Sequence, residues 1–311
     1  MSFATTRLPS DDGVELAVYE WPAPAKPKAA LQISHGMAEH ARRYDRMAQA
    51  LLQAGYAVYA SDHRGHGQTA REQEDLGFFA EQNGWQKLVD DVHRVNRHVA
   101  AKHPGLPLVL LGHSMGSFVA QEYLFTHGDT LAAAVLSGTD DNTSPLILAA
   151  RGLAAVERLR IGPRGRSQLL NTATFGDFNR RFKPNRTDFD WLSRDNAEVD
   201  KYIADPLCGF VMTVQGWQDV YVGLGRVSDA RNQARVPKDL PIYLFAGAED
   251  PVGHAGKGVV AQARAYRRAG LTDITHKLYE GGRHEMVNET NRDEVVADLI
   301  AWLDKHVPAS S

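Results

Sequence analysis

The sequence is poor in cysteine, because Cys208 is the only one among its 311 residues. A single cysteine excludes a disulfide within the chain and a thiolate cluster for a metal, and it fits a reducing compartment. The first residues lack the basic start and the apolar stretch of a signal peptide, and no apolar run approaches the length of a membrane span. We therefore expect a cytoplasmic protein, for which peripheral contact with a membrane stays open.

The sequence also lacks an excess of charge of either sign. Its 35 Lys and Arg residues face 38 Asp and Glu residues, which gives a net charge of −3. Because nucleic-acid binding needs a basic surface, this balance predicts no nucleic-acid partner. Hydrophobic residues make up 43% of the chain, which is enough for a full core. None of these numbers indicates an oligomeric state.

Short apolar segments alternate with helical patterns over most of the chain. The segments that read as strands are 14–21, 29–34, 56–61, 108–111, 133–137, 241–246 and 274–279. The segments that read as helices are 42–54, which stops at Gly55, and 85–101, 117–124, 256–269 and 293–306. This order predicts an α/β fold with a mostly parallel central sheet and helices on both faces.

The alternation breaks between residues 142 and 236, where no clear strand pattern occurs. An apolar helical pattern covers 145–156, and a basic patch that contains glycine covers 158–166. We therefore predict a core formed by 1–141 and 237–311. The segment 142–236 is predicted to be an inserted helical cap, or lid, over the carboxyl edge of the sheet.

The segment Gly112–Gly116 reads Gly-His-Ser-Met-Gly and carries the strongest chemical signal. It follows the apolar strand pattern 108–111 and precedes the helical pattern 117–124. A G-x-S-x-G sequence between a strand and a helix is typical of a nucleophile elbow, a sharp turn that exposes its serine. Ser114 is therefore predicted to be a nucleophile that forms a covalent acyl intermediate.

A serine nucleophile needs a base, and the base needs an orienting carboxylate. On an elbow of this kind the acid and then the histidine follow the serine along the chain. Asp250 lies just past the strand pattern 241–246, and His284 lies just past 274–279. Both are therefore expected at the sheet edge that carries Ser114.

Other acids compete with Asp250 for this role. Glu249 is its neighbour, although adjacent residues of an extended segment point in opposite directions. Asp140 and Asp141 follow the strand after the elbow, where an acid could also reach the histidine. An aspartate at a strand end also serves as a helix cap or stabilises a turn. We predict Asp250 as the acid and keep these alternatives open.

The tetrahedral intermediate of acyl transfer also needs two hydrogen-bond donors for its oxyanion. The N–H of Met115, directly after the nucleophile, is one candidate. The N–H of Met37 is the other, because Gly36 would let the loop after the strand 29–34 turn this amide toward the site. His35 is a candidate substrate contact, although support of the same loop is the simpler role.

The segment 62–67 reads Asp-His-Arg-Gly-His-Gly and has the composition of a metal site. The sequence offers no second ligand cluster to complete it, and a serine triad needs no metal. We therefore predict a hydrogen-bonded structural loop there, and no metal.

Taken together, these motifs resemble the monoacylglycerol lipase and lysophospholipase branch of the α/β-hydrolase superfamily. The resemblance rests on the elbow, on His-Gly-Met-Ala-Glu-His at 35–40, on the segment 62–67 and on Arg-His-Glu at 283–285. In the cap, 191–195 and 205–210 resemble bacterial members. The resemblance implies a triad of Ser114, His284 and Asp250, an oxyanion hole from Met37 and Met115, and no cofactor.

The same resemblance implies hydrolysis of a carboxylic ester, of monoacylglycerol or lysophospholipid type, whose acyl chain lies under an apolar cap. Family members commonly carry a small residue where this chain has Met37, so the substrate range is open. Further candidate substrate contacts are Leu146, Leu148 and Val252. The pattern 145–156 fits a helix that packs against the core. It also fits an apolar entrance that contacts lipid aggregates, with Arg151, Arg158 and Arg160 near the head groups.

Alternative functions on the same scaffold are a short-chain carboxylesterase, a thioesterase, a peptidase or a C–C hydrolase. A non-catalytic ligand-binding protein is a further alternative, although a complete triad argues against it.

Overall fold

A computed structural model describes residues 3–143 and 146–307, and for Leu146 it describes the main chain only. Within these residues, eight strands form one sheet. In chain order they are β1 Ala4–Pro9, β2 Glu15–Glu20, β3 Ala30–Ser34, β4 Ala57–Ser61, β5 Leu108–His113, β6 Ala133–Ser137, β7 Ile242–Gly247 and β8 Ile274–Tyr279. The spatial order is β1-β2-β4-β3-β5-β6-β7-β8. The pairings β1–β2 and β2–β4 are antiparallel, and all the others are parallel.

Ten α-helices accompany the sheet in the described parts of the chain. They are α1 Asp45–Gln53, α2 Gly84–Lys102, α3 Met115–His127, α4 Leu146–Ile161, α5 Gln168–Phe175, α6 Asn196–Ala204, α7 Val214–Val227, α8 Ala230–Gln233, α9 Lys257–Arg268 and α10 Arg292–His306. Residues of α1 and α10 belong to one apolar cluster. Residues of α2, α3, α7 and α9 belong to another.

The central strand β5 shows why two clusters form. All of its residues are buried, so both of its faces need apolar cover. Leu108 and Leu110 belong to the cluster with α2 and α3, while Val109 and Leu111 belong to the cluster with α1 and α10. The sheet is thus covered by helices on both faces, which confirms the predicted fold class.

The sequence pattern misses the edge strand β1 but locates the end of helix α1. The sequence predicts no strand at β1, whose residues are mostly exposed at the edge of the sheet and lack apolar alternation. By contrast, Gly55 ends α1 as predicted, with φ of +94°. Its N–H donates to Leu52 O and the N–H of Tyr56 donates to Leu51 O, which is the Schellman arrangement of a helix end.

The region 142–236 contributes no strand to the sheet within its described residues, and its helices are α4 to α8. One part of it, residues 190–209, is hydrogen-bonded to the core, and we call it the anchored segment. We call α4 and α5 the outer helices, because the described hydrogen bonds of their side chains stay within 142–236. Helix α7 packs against α2 and α3. The exact cap boundaries stay a prediction.

Candidate active site

Ser114 lies on the turn between β5 and α3, and its backbone conformation is unusual. Its φ of +52° is rare for a residue other than glycine, asparagine or aspartate. The turn is held by the N–H of Ser114, which donates to Ser137 O at 2.9 Å, and by the hydroxyl of Ser117, which donates to Ser114 O at 2.6 Å. Ser114 is partly exposed while its neighbours along the chain are buried. This is the geometry of a nucleophile elbow.

The two glycines of the elbow are required by close approach of main chains. A Cβ atom on Gly112 would lie 2.4 Å from Gly116 O, and one on Gly116 would lie 2.1 Å from Ser34 O. Both distances are far below a van der Waals contact. Strand β5, helix α3 and strand β3 reach their positions only because these side chains are missing.

Asp250 and His284 lie in the loops that follow β7 and β8, as the sequence predicts. His284 Nδ1 lies 3.0 Å from both carboxylate oxygens of Asp250. Because an ionised carboxylate only accepts, the Nδ1–H of His284 is the donor, and this fixes the tautomer of the ring. Asp250 is 0% exposed and His284 is 2% exposed. The N–H of Val252 holds the carboxylate at 2.9 Å.

The competing acids are directed elsewhere. Glu249 points outward and pairs with Arg181 of the predicted cap at 2.7 Å, in keeping with opposite directions for neighbours in an extended segment. One carboxylate oxygen of Asp140 accepts from Asn142 N at 3.2 Å. Asp141 bonds Thr143. Of these acids, the structure places only Asp250 against the histidine.

The electrostatics suit His284 for the role of a base. Burial by itself lowers the pKa of His284, but the charge and the hydrogen bond of Asp250 outweigh it and raise that pKa above 6.5. His284 and Ser114 line one cavity. No described hydrogen bond joins the two side chains, which is common for catalytic pairs without a ligand.

The two amides that are predicted to hold the oxyanion belong to segments that lie beside Ser114. A Cβ atom on Gly36 would lie 3.2 Å from Ser114 Cβ, so the loop that carries Met37 rests directly against the nucleophile. Within the described hydrogen bonds, the N–H groups of Met37 and Met115 have no acceptor. The expected reason for Gly36 was wrong, because the positive φ of the loop is at Ala38, at +53°. Gly36 is needed for close approach instead.

His35 does not contact either cavity near Ser114, which corrects its prediction as a substrate contact. Its ring is fully buried, and its Nε2 accepts from the N–H of His63 at 2.9 Å. His63 and His66 are buried too, and burial lowers their pKa to about 3 and about 4, so both rings are neutral. Within the segment 62–67, the N–H of His66 donates to His63 O at 3.0 Å and the His66 ring bonds Arg64 O at 3.1 Å, as the prediction of a structural loop requires.

A buried ionic network beside the site was not predicted. Arg43 donates to Glu39 at 2.6 Å and to both oxygens of Glu285 at 2.6 Å. Glu39 in turn accepts from the N–H of Gly36 at 2.6 Å. The network therefore joins the Met37 loop to the loop that carries His284. Glu39 and Arg43 are four residues apart on one turn, but no sequence pattern links either of them to Glu285.

Two cavities meet at Ser114. One has a volume of about 360 Å³ and the other about 250 Å³. Met37, Ser114 and Phe175 line both of them. The larger cavity is rich in polar groups, namely Glu39, Gln168, Asn171, Asn179, Asp188 and Glu285. The smaller cavity is mainly apolar, with Met115, Phe118, Ile147, Trp217, Val220 and Leu224.

The remaining predicted substrate contacts have different outcomes. Val252 lines the smaller cavity. Leu148 does not line either cavity and is 73% exposed, because the inner face of α4 presents Ile147 and Ala150 instead. This corrects the prediction for Leu148. The side chain of Leu146 lies outside the described residues, so its prediction stays untested.

One group of side chains has the composition of a metal site. The ligand atoms of His40, Asp205 and Cys208 lie within 4.8 Å of one another. His40 Nε2 already pairs with Asp205 at 2.9 Å. Burial raises the pKa of the Cys208 thiol, which keeps it protonated and weakens it as a ligand. These side chains connect the loop that carries Met37 with the anchored segment.

A serine on a strained strand–helix turn, with a histidine and a buried aspartate at the same edge of a parallel sheet, defines a serine hydrolase with the α/β-hydrolase fold. The sequence profile of the family described as serine aminopeptidase, S33, matches residues 25–291. The chain belongs to this family.

Named relatives agree with the motif-based resemblance. The chain is 29% identical over 302 residues to a monoacylglycerol lipase of Mycolicibacterium smegmatis, and the alignment covers 95% of each chain. It is 29% identical over 313 residues to the monoglyceride lipase of Mus musculus, covering 97% of this chain and 91% of the mouse protein. The resemblance to the monoacylglycerol lipase branch is thus confirmed.

A solved esterase structure shares the fold over nearly the whole chain. The carboxyl esterase of Bacillus coagulans, solved in complex with glycerol, superposes with a TM-score of 0.91 at 28% identity and covers 99% of both chains. None of the described helices combines the length and the apolar character that a membrane span requires.

Proposed function

We propose that this protein hydrolyses carboxylic esters of the monoacylglycerol type through an acyl intermediate on Ser114. The observation that carries the proposal is the hydrogen-bonded pair of His284 and Asp250, which shares a cavity with a strained, accessible serine. The names of the relatives support the ester class. Neither metal nor cofactor enters the proposed chemistry.

In the proposed cycle, His284 takes the proton of Ser114 while the serine oxygen attacks the ester carbonyl. The N–H groups of Met37 and Met115 hold the oxyanion. Asp250 keeps His284 in the required tautomer and stabilises its charged form. The alcohol leaves with the proton from His284, and a water molecule then releases the acid by the same steps.

The two cavities support a division of the substrate at the scissile bond. The apolar cavity of about 250 Å³ suits the acyl chain, because its wall offers few hydrogen-bonding groups. The cavity of about 360 Å³ presents amides and carboxylates that suit the hydroxyl groups of a glycerol-like alcohol. A small polyol ester with one acyl chain fits this asymmetry better than a substrate that is apolar on both sides.

Ser114→Ala tests the reaction, with hydrolysis of a p-nitrophenyl ester as the measurement. We expect kcat to fall by at least about 10⁴-fold. Ser228→Ala is the matched control, because Ser228 lies at the end of α7 and its hydroxyl has one described hydrogen bond, to Gly225 O. Retained turnover or a retained burst in Ser114→Ala would contradict the assignment.

The substrate class needs a panel with matched acyl chains. Monoacylglycerols, lysophospholipids, simple alkyl esters and thioesters of one acyl length should be compared by kcat/KM. The highest value is expected for the monoacylglycerol. A thioester or a short-chain alkyl ester as the best substrate would support the corresponding alternative instead.

Peripheral membrane contact is a further part of this proposal. Leu148, Val156 and Leu159 are 73%, 60% and 91% exposed on one side of α4. Arg151 and Arg160 are exposed on the same helix. Exposed leucines beside cations suit the interface of a bilayer with anionic head groups. The cytoplasmic location stays a prediction.

Vesicle co-sedimentation tests this contact. Wild type should pellet with phosphatidylglycerol vesicles, and Leu159→Asp should pellet less. Ile203→Asp is the control, because Ile203 is an exposed apolar residue on α6 of the anchored segment. Equal pelleting of all three proteins would remove this part of the proposal.

A further inference from the structure

We propose that Trp191 is a positioning residue for the base, whose indole ring stabilises the charged form of His284 during acyl transfer. The inference rests on the function proposed above. It adds a residue of the anchored segment to the machinery around Ser114.

The two rings are in contact. Their centroids lie 5.1 Å apart with an interplanar angle of 37°. A cation within about 6 Å of the centroid of a tryptophan ring is attracted by the negative face of the ring, and the attraction grows when water is excluded. Trp191 is 9% exposed and His284 is 2% exposed, so little water separates or screens them.

The main chain fixes this contact. The N–H of His284 donates to Trp191 O at 3.3 Å, and the N–H of Glu285 donates to Leu192 O at 2.8 Å. The N–H of Trp191 donates to Asn179 Oδ1 at 2.8 Å. The contact between the indole and His284 is therefore not loose packing of a cap over a core. It is held by hydrogen bonds between the segment that carries Trp191 and the loop that carries His284.

Three carboxylates also favour the charged form of His284. Asp250 bonds Nδ1 directly, and Glu285 and Glu39 act through their charges. Asp250 occupies the Nδ1 edge of the ring, so the indole adds stabilisation from a direction that this carboxylate does not cover.

The other groups near the base do not replace the indole. The ring of His113 lies 4.7 Å from that of His284, but burial lowers the pKa of His113 to about 4, so it is neutral. The charge of Arg43 is directed at Glu39 and Glu285.

Trp191 also connects the base to the substrate side. Its ring stacks on Phe175 at 5.9 Å and meets the edge of Phe178 at 5.1 Å. Phe175 lines both cavities. A change in the cap that moves Trp191 would therefore change the basicity of His284 as well as the shape of the site.

The first test compares Trp191→Leu and Trp191→Phe with wild type in kcat/KM as a function of pH. Loss of the indole should lower the pKa of His284, so the acid limb moves to lower pH. The plateau should fall between about 5- and 30-fold for Leu and less for Phe. If Trp191 only shields the base, its removal admits water and relieves the burial that lowers this pKa, so the limb moves to higher pH. An unmoved or raised limb overturns the proposal.

The second test keeps the shape of the side chain. Fluorinated tryptophan weakens the negative ring face while it leaves the packing nearly unchanged. The pKa of His284 is read by NMR in the Ser114→Ala protein, with the signal assigned by its loss in His284→Ala. We expect a stepwise fall with each added fluorine. The chain has five tryptophans, so the same labelling in a Trp191→Phe background is the control and should show no fall.

An equal pKa for all labelled proteins overturns the role of Trp191, whatever the rates show. Because the titration needs no substrate, its outcome is separate from the proposed esterase function. That function fails if Ser114→Ala still turns over esters, and the titration would still report on the contact between the two rings.

Discussion

The anchored segment and the outer helices both lie in the region 142–236, but they are held in different ways. The anchored segment joins the core through main-chain hydrogen bonds to the loops that carry His284 and Met37, such as Gly209 N to Ala38 O at 2.9 Å. The outer helices present inward side chains such as Ile147 and Phe175 to the cavities and leave Leu159 exposed. The anchored segment thus supports the loops of the site and also lines the larger cavity, whereas the outer helices shape the cavities without a described hydrogen bond from their side chains to those loops.

The largest effect is expected where the core supports the anchored segment. Arg43 neutralises the buried Glu39 and Glu285 and lies over the ring of Tyr202 at 4.8 Å. Arg43→Met leaves two buried carboxylates without a charged partner, so the free energy of unfolding should fall by about 3 to 5 kcal/mol. Urea unfolding measures this change.

Arg46→Met is the matched control for Arg43→Met. Arg46 pairs with Glu198 at 2.6 Å, but its side chain is 43% exposed, so we expect a loss below about 1 kcal/mol. Similar losses in the two variants would show that the buried network does not carry the stability assigned to it.

The pH dependence of kcat/KM should distinguish the anchored segment from the outer helices. The pKa of His284 is raised above its usual 6.5, so the base is neutral only when the pH exceeds this raised pKa. The value of kcat/KM should therefore fall about tenfold per pH unit below that pKa. Leu159→Asp on the outer helix should keep the wild-type limb. A midpoint below 6.5, or a limb moved by Leu159→Asp, would break the comparison.

A smaller effect is expected from a peripheral tie of the anchored segment. Arg194 Nε donates to the fully buried Glu289 at 2.9 Å. Arg194→Met should lower the free energy of unfolding by about 1 to 3 kcal/mol because Glu289 loses a charged partner. The value of kcat/KM should fall as well. Arg158→Met on α4, which loses hydrogen bonds to Gln215 and Gln218, should change kcat/KM less. The reverse order would argue against the division.

The smallest effect is expected at the exposed face of α4. Leu159 is 91% exposed, so Leu159→Asp should change the free energy of unfolding by no more than about 0.5 kcal/mol. Thermal unfolding checks this prediction. A marked loss would mean that α4 packs on its outer face, which would contradict the assignment of that face to lipid contact.

The sequence predicts those parts of the molecule that depend on local geometry. Ser114 is identified by its glycines, and these prove to be required by contacts with the main chain at Ser34 and Gly116. Asp250 and His284 follow from their places after strands, because strand ends of a parallel sheet share one edge.

Other parts depend on contacts between distant segments, and no local pattern encodes them. Glu285 is 242 residues from its partner Arg43, and Trp191 reaches His284 only because the anchored segment folds back. His35 looks like a site residue in sequence, since it precedes the loop that carries Met37, but its ring accepts a hydrogen bond from the N–H of His63. Leu148 shares an apolar helix pattern with Ile147, and only packing decides which of them turns inward.

The central claim is that Ser114 forms the acyl intermediate. A fluorophosphonate probe followed by peptide mass spectrometry tests it most directly. We predict one adduct, on the peptide that contains Ser114, whose formation slows strongly in His284→Ala and is absent in Ser114→Ala. Full ester hydrolysis by Ser114→Ala, or an adduct on another residue that tracks activity, would contradict it.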